Sequence, residues 1–162
     1  MGSVERKEED KLMSLLSTIS KPADRSVICT ITGDAGTGKT TLGATFPKPI
    51  FIRIEDGLQA VPEANRPDAF PVISKVDQLW EQLTALITEP HDYKTVVIDS
   101  ITQLETLFAE YVIANDPKQP KSLAQANGGY GAGYLAVSAL HGRVRKAAKA
   151  LNEKRNLHVA FI

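Results

Sequence analysis

Cysteine is nearly absent from this chain, which has a single one, Cys29, among its 162 residues. One thiol cannot form an intramolecular disulfide, so the sequence excludes a disulfide-stabilised scaffold and fits a reducing compartment. Cys29 lies within the apolar run SVICTI. We predict that it is a buried residue of a β-strand and not a nucleophile.

Net charge and long apolar runs are absent as well. The 19 basic residues balance the 19 acidic ones, so any contact with nucleic acid must come from a local basic patch. No segment approaches the roughly 18 to 20 consecutive apolar residues that cross a bilayer. The charged N-terminus also lacks the apolar core of a signal peptide. The sequence therefore predicts no membrane partner and a cytoplasmic location.

What the sequence does contain is an alternation of predicted strands and helices. Four apolar runs predict strands, namely RSVICTITG, KPIFIRIED, KTVVIDS and LHVAFI, and helical patterns separate them. AFPVI predicts a further short strand, which Pro71 places at an edge. This alternation predicts one α/β domain with a mainly parallel central sheet. Ligands of such sheets bind at the carboxyl ends of the strands. We therefore expect Gly33, Glu55 and Asp99 to lie at the same edge.

The N-terminal region carries a separate helical signal. Leu12, Leu15, Leu16 and Ile19 follow the i, i+3, i+4, i+7 spacing of an amphipathic helix. We divide the chain into an N-terminal helical extension, residues 1–20, and an α/β core, residues 21–162. The apolar stripe can pack on its own core or on a second copy of the chain, and the latter predicts a homo-oligomer.

Residues 33–40, GDAGTGKT, match the phosphate-binding pattern G-x-x-x-x-G-K-[ST] in full. Glycines allow successive backbone N–H groups to turn inward, and the helix that follows points its positive end at the phosphates. Lys39 is expected to bring its charge to the β- and γ-phosphate oxygens, and the Thr40 hydroxyl to bind Mg²⁺. The predicted nucleotide-binding residues are Gly33, Asp34, Ala35, Gly36, Thr37, Gly38, Lys39, Thr40 and Thr41.

A second Mg²⁺ ligand is predicted at the end of the run TVVIDS. Apolar and β-branched residues precede Asp99, and they place its carboxylate at the end of a buried strand. An aspartate at that position holds magnesium in proteins with this phosphate-binding loop. Thr40 and Asp99 are thus the predicted metal ligands.

A hydrolytic enzyme also needs a group that orients or deprotonates the attacking water. Many motor ATPases have a glutamate directly after the magnesium aspartate, but Ser100 occupies that position here. The strand FIRIEDG can lie beside either the strand before the phosphate-binding loop or the Asp99 strand. It ends with two carboxylates, of which we favour Glu55 over Asp56 as the catalytic base. We expect Glu105 to be a surface charge. The alternative is that EDG is merely a solvated turn.

These strand ends resemble those of a known family. FIRIEDGL and TVVIDSITQL, together with GDAGTGKTTLGATFPKP before them and GGYGAGY after them, are similar to phage-encoded AAA/RecA-core nucleotide-binding proteins. Some of those proteins act as single-strand annealing or recombination ATPases. The resemblance covers roughly residues 19–162. It implies a RecA-like P-loop NTPase of three αβα layers that hydrolyses ATP, with Lys39 and Glu55 catalytic and Asp99 serving Mg²⁺. It also implies further strands after Ile162, so we expect C-terminal strands to be missing.

The same resemblance implies a partner. RecA-like proteins place a DNA-facing loop where this chain has residues 116–133, a segment with Lys118, Lys121 and Tyr130 that Tyr134 directly follows. The helix behind it, residues 141–155, is basic. We therefore expect contact with single-stranded DNA there, although a solvated lid would explain the same composition.

Three functions remain open at this stage. The first is a DNA-stimulated recombination ATPase, and the second is a nucleotide-binding switch or assembly ATPase without a DNA role. The third is a P-loop kinase for a small molecule. Residues 116–133 contain two lysines and no arginine, which counts against a kinase lid with several phosphate-binding arginines.

Overall fold

The computed structural model describes residues 15–162, and these form an α/β fold around one five-stranded sheet. Every strand pairing is parallel, and the strand order is β1-β5-β4-β2-β3. The predicted α/β class with a mainly parallel sheet is confirmed. The strands are β1 (Ile28–Thr30), β2 (Pro49–Arg53), β3 (Asp68–Ala69), β4 (Thr95–Asp99) and β5 (His158–Phe161).

Four α-helices connect these strands. They are α1 (Lys39–Ala44), α2 (Val76–Thr88), α3 (Ile101–Ala114) and α4 (Ala132–Arg155). Three short 3-10 helices lie in the connections, at Gly57–Ala60, Glu63–Asn65 and Leu123–Gly128. The last of these lies inside the segment 116–133, which the sequence predicted to be a loop.

The two faces of the sheet carry separate apolar clusters, which confirms three layers. On one face, Ile52, Ile98 and Val159 pack in a cluster that includes side chains of α2, α3 and α4. On the other face, Phe51 and Val97 pack with the part of the chain that follows the phosphate-binding loop. Side chains alternate between the faces of a strand. Both faces of β4 are therefore covered, and all five of its residues are buried.

The strand order settles a question that the sequence left open. The strand that follows α1, β2, pairs with β4, and Arg53 lies directly opposite Asp99. β5 lies between β4 and β1, the strand that leads into the phosphate-binding loop. Glu55 therefore follows the strand that neighbours the Asp99 strand.

The prediction that β1 is a buried strand containing a buried Cys29 is wrong. β1 has only three residues, and Cys29 is half-buried. Val27 and Ile28 are 52% and 44% exposed. The reason is topological, since β1 pairs with β5 alone and so lies at the edge of the described sheet.

The predicted N-terminal helix falls partly outside the described residues, which begin at Leu15. Leu15 and Leu16 are helical, and a turn follows in which the Thr18 amide donates to the Leu15 carbonyl at 3.1 Å. Leu15, Leu16 and Ile19 are 60%, 60% and 73% exposed. Over residues 15–162, no helix has both the length and the apolar character required to cross a membrane.

Candidate functional site

The loop between β1 and α1 is built from turns that suit glycine. Gly36 and Gly38 have φ angles of 78° and 87°, a region that other L-residues rarely adopt. The Thr37 hydroxyl donates to the Asp34 carbonyl at 2.9 Å and closes the turn between them. Every residue of the loop from Gly33 to Gly38 is exposed, as is Thr41 on α1. The loop is therefore open to a ligand from solvent.

Lys39 lies at the start of α1 and is half-buried. Its ammonium group donates to the carbonyls of Gly33 and Asp34, at 2.8 Å each. The loop thus wraps around the cation and holds it in place. A fixed positive charge within exposed loop backbone is suited to an anionic ligand.

Thr40 and Asp99 are in direct contact. The Thr40 hydroxyl donates to Asp99 Oδ2 at 2.8 Å, although the two residues are 59 positions apart in sequence. Thr40 is half-buried on α1, and Asp99 is 2% exposed at the end of β4. The fold therefore brings together the two side chains that the sequence predicted as metal ligands.

The environment of Asp99 is unfavourable for an isolated charge. Burial raises the pKa of Asp99, the hydrogen bond from Thr40 opposes this, the nearby Glu55 charge raises the pKa further, and Lys39 lowers it. A bound cation would stabilise the ionised form of such a carboxylate. No cluster of three or more His, Cys, Asp or Glu within residues 15–162 could hold a metal alone. One carboxylate and one hydroxyl fit Mg²⁺, which takes its remaining ligands from water and substrate phosphates.

The two acids after β2 have different roles in the structure. Asp56 Oδ1 accepts a hydrogen bond from the Arg53 guanidinium at 2.9 Å, and Asp56 Oδ2 accepts one from the Gln59 amide at 3.2 Å. Arg53 is itself tied to the Phe70 carbonyl at 3.0 Å. Glu55 is exposed, and its carboxylate has no hydrogen-bond partner among residues 15–162. Asp56 therefore fixes the turn, and Glu55 stays available beside Asp99.

Gly57 belongs to this site, although the sequence did not predict it. A Cβ atom at Gly57 would lie 3.2 Å from Asp99 Oδ2 and 3.3 Å from Thr40 Oγ1. The available signal was the position of this glycine, two residues after Glu55. In a sequence, however, EDG indicates only a turn.

Two polar residues that follow Asp99 in sequence differ in their surroundings, since Ser100 caps a helix and Glu105 lies at the surface. The Ser100 hydroxyl caps α3 by accepting a hydrogen bond from the Gln103 amide at 3.4 Å, and the Asp99–Ser100 peptide bond is cis. The residue after Asp99, Ser100, is thus a helix cap and not a catalytic base. Glu105 is an exposed residue of α3.

The segment 116–133 is ordered by its own contacts. The Asp116 carboxylate is 5% exposed and accepts hydrogen bonds from the amides of Lys118 at 2.8 Å and Asn127 at 2.6 Å. These bonds lower the pKa of Asp116. A Cβ at Gly133 would clash with the Leu123 carbonyl oxygen, so α4 begins in close contact with the 3-10 helix.

This segment and the first turn of α4 present apolar groups to solvent. Tyr130 is fully exposed at 106%, while Tyr134 and Leu135 are 57% and 72% exposed. Lys118 and Lys121 are exposed in the same segment. The aromatic and basic side chains that the sequence singled out are therefore available to a partner.

Only part of the basic helix 141–155 is free. Arg143 lies over the Trp80 ring, 4.2 Å from its centroid, and Lys149 pairs with Glu153 at 3.6 Å. His141 packs edge-on against Phe108, with ring centroids 5.0 Å apart. Two further basic residues of this helix, Arg145 and Lys146, are exposed.

Comparison with known proteins gives one match. A family model described as an AAA domain matches residues 25–162. Neither a curated protein nor a solved structure matches the chain. The matched range contains the phosphate-binding loop, Glu55, Asp99 and the segment 116–133.

Proposed function

The chain belongs to the AAA domain family, and it is a nucleotide-binding protein of the P-loop class; from this premise we propose that it is a Mg²⁺-dependent ATPase. We propose further that it is of the RecA-like type and acts on single-stranded DNA in phage recombination or annealing, within the cytoplasm. The observation that carries the Mg²⁺-dependent ATPase proposal is the 2.8 Å contact between Thr40 and Asp99 beside the phosphate-binding loop.

Nucleotide binding uses the loop and its lysine. The exposed backbone from Gly33 to Gly38 surrounds the phosphates, and Lys39 exchanges its two carbonyl contacts for phosphate oxygens. Thr40 and Asp99 would hold Mg²⁺, which would supply charge neutralisation at the bound phosphates.

Glu55 acts on the water. The water oxygen bonds to the γ-phosphorus as the bond from that phosphorus to the β–γ bridging oxygen breaks, which yields ADP and phosphate. Glu55 accepts the proton that the water loses. This role is supported by the exposed Glu55 carboxylate, which has no hydrogen-bond partner among residues 15–162 and whose charge raises the pKa of nearby Asp99.

The DNA role rests on the exposed aromatic and basic groups of the segment 116–133. Aromatic side chains stack on bases of single strands, and each stacked base contributes about 1–3 kcal/mol. Tyr130 is fully exposed on a segment that Asp116 holds in order. A rigid platform reduces the ordering cost of such contacts.

The test is the rate of ATP turnover with and without single-stranded DNA. We expect DNA to stimulate ATP turnover by the wild type. Tyr130→Ala should raise the DNA concentration that gives half-maximal stimulation by about tenfold. Tyr111→Ala, a change at an exposed tyrosine of α3, is the control and should keep the stimulation. Turnover that DNA leaves unchanged would instead favour an assembly or switch ATPase without a DNA role.

Self-association is a second part of the proposal. Leu15, Leu16 and Ile19 expose a group of apolar side chains that no neighbouring element covers within residues 15–162. Such a group is suited to contact a second copy of the chain. Light scattering should give a mass above that of one chain for the wild type. Ile19→Ser should shift the mass towards one chain, and a monomeric wild type would contradict the proposal.

A further inference from the structure

Gly57 lies against the two side chains that we assign to the metal. An added Cβ would lie 3.2 Å from Asp99 Oδ2, 3.3 Å from Thr40 Oγ1 and 3.6 Å from Thr40 Cγ2, and these are its nearest neighbours. The backbone does not explain this glycine, because Gly57 is not among the glycines with positive φ. Glycine at position 57 is therefore explained by the space that a side chain would fill and not by the backbone conformation.

The surrounding contacts leave Gly57 little freedom to move away. The next residue, Leu58, is 6% exposed and packs in the cluster of Phe51 and Val97. The preceding residue, Asp56, is tied to Arg53 on β2. Gly57 is therefore held between a buried anchor and an ion pair, at a fixed position beside Asp99.

We propose that Gly57 is a positioning residue that keeps open the space around Thr40 Oγ1 and Asp99 Oδ2, so that a Mg²⁺–nucleotide can use both oxygens. This rests on the proposed function. Mg²⁺ demands ligands at 2.0–2.1 Å in near-octahedral geometry. A methyl group about 3.2 Å from both protein ligands competes with the water and phosphate oxygens that complete this shell.

The experiment is Gly57→Ala, studied by calorimetric titration of ATP at a series of Mg²⁺ concentrations and in EDTA. We expect the half-saturating Mg²⁺ concentration to rise about tenfold or more, the scale of changes around bound metals. ATP binding in EDTA should stay within about twofold of the wild type, because the phosphate contacts are unchanged. Gly142→Ala is the matched control, since a Cβ there meets no atom of residues 15–162 within 4 Å.

Three results would overturn the inference. The first is an unchanged Mg²⁺ dependence in Gly57→Ala. The second is equal loss of ATP binding with Mg²⁺ and in EDTA. The third is a melting temperature in EDTA lowered by more than about 8 °C, which would assign Gly57 to the fold. A wild type that binds ATP without any effect of Mg²⁺ would overturn the proposed function itself, and the inference with it.

Discussion

At the scale of single residues, the sequence identified the charged and polar side chains of the site and missed Gly57, which has no side chain. The GxxxxGK[ST] pattern predicts Lys39 and Thr40 because few alternatives explain that spacing, and the buried run before Asp99 predicts its place at a strand end. The structure brings Thr40 and Asp99 into contact. The importance of Gly57 depends on atoms that approach it from two other elements, and no local pattern contains that information.

Lys39→Ala tests the phosphate-binding loop. Lys39 is the cation that the loop carbonyls hold, and removing a charged hydrogen-bond donor costs about 1.5–3 kcal/mol. We expect ATP affinity to fall by at least about tenfold, measured by calorimetric titration. Lys48→Ala is the control, because Lys48 is exposed and pairs with Asp92 instead. An unchanged affinity in Lys39→Ala would contradict the assigned role of the loop.

At the scale of elements, the pattern of apolar residues predicted helices between the strands, but not how far each strand is buried. The run around Cys29 is as apolar as that before Asp99, yet β1 is an exposed edge strand and β4 is fully buried. The difference arises from pairing order, which residues distant in sequence decide. The 3-10 helix within 116–133 was also missed, because its order depends on Asp116.

Asp116 gives a pH-dependent prediction for this segment. Its pKa is lowered by hydrogen bonds from the Lys118 and Asn127 amides. A carboxyl whose folded-state pKa is depressed stabilises the fold above its unfolded-state value, and this contribution disappears as pH falls through the folded-state pKa. Asp116→Asn should therefore melt below the wild type at pH 7. The difference should shrink as pH falls below about 4 and then through the lowered folded-state pKa. A gap independent of pH would show that packing, and not the charge, is responsible.

At the scale of the whole molecule, the strand order brings residues that are far apart in sequence together at one site. The α/β class and the edge at which Gly33, Glu55 and Asp99 lie follow from the alternation of strands and helices. The pairing of β2 with β4 does not follow from that alternation, since the sequence allowed β2 to neighbour either β1 or β4. That pairing is what sets Glu55 beside Asp99, while Arg53 and Gln59 engage Asp56.

The measurement that tests the central claim most directly is the release of phosphate from Mg²⁺–ATP by the wild type and by Glu55→Gln, with ATP affinity measured on both. We expect equal ATP affinity and a rate of phosphate release at least about 100-fold lower in Glu55→Gln, because the base that accepts the proton of water is gone. Glu105→Gln, a change at an exposed acid of α3, should leave the rate unchanged. Phosphate release by Glu55→Gln at the wild-type rate would contradict the assignment of Glu55 and with it the RecA-like mechanism.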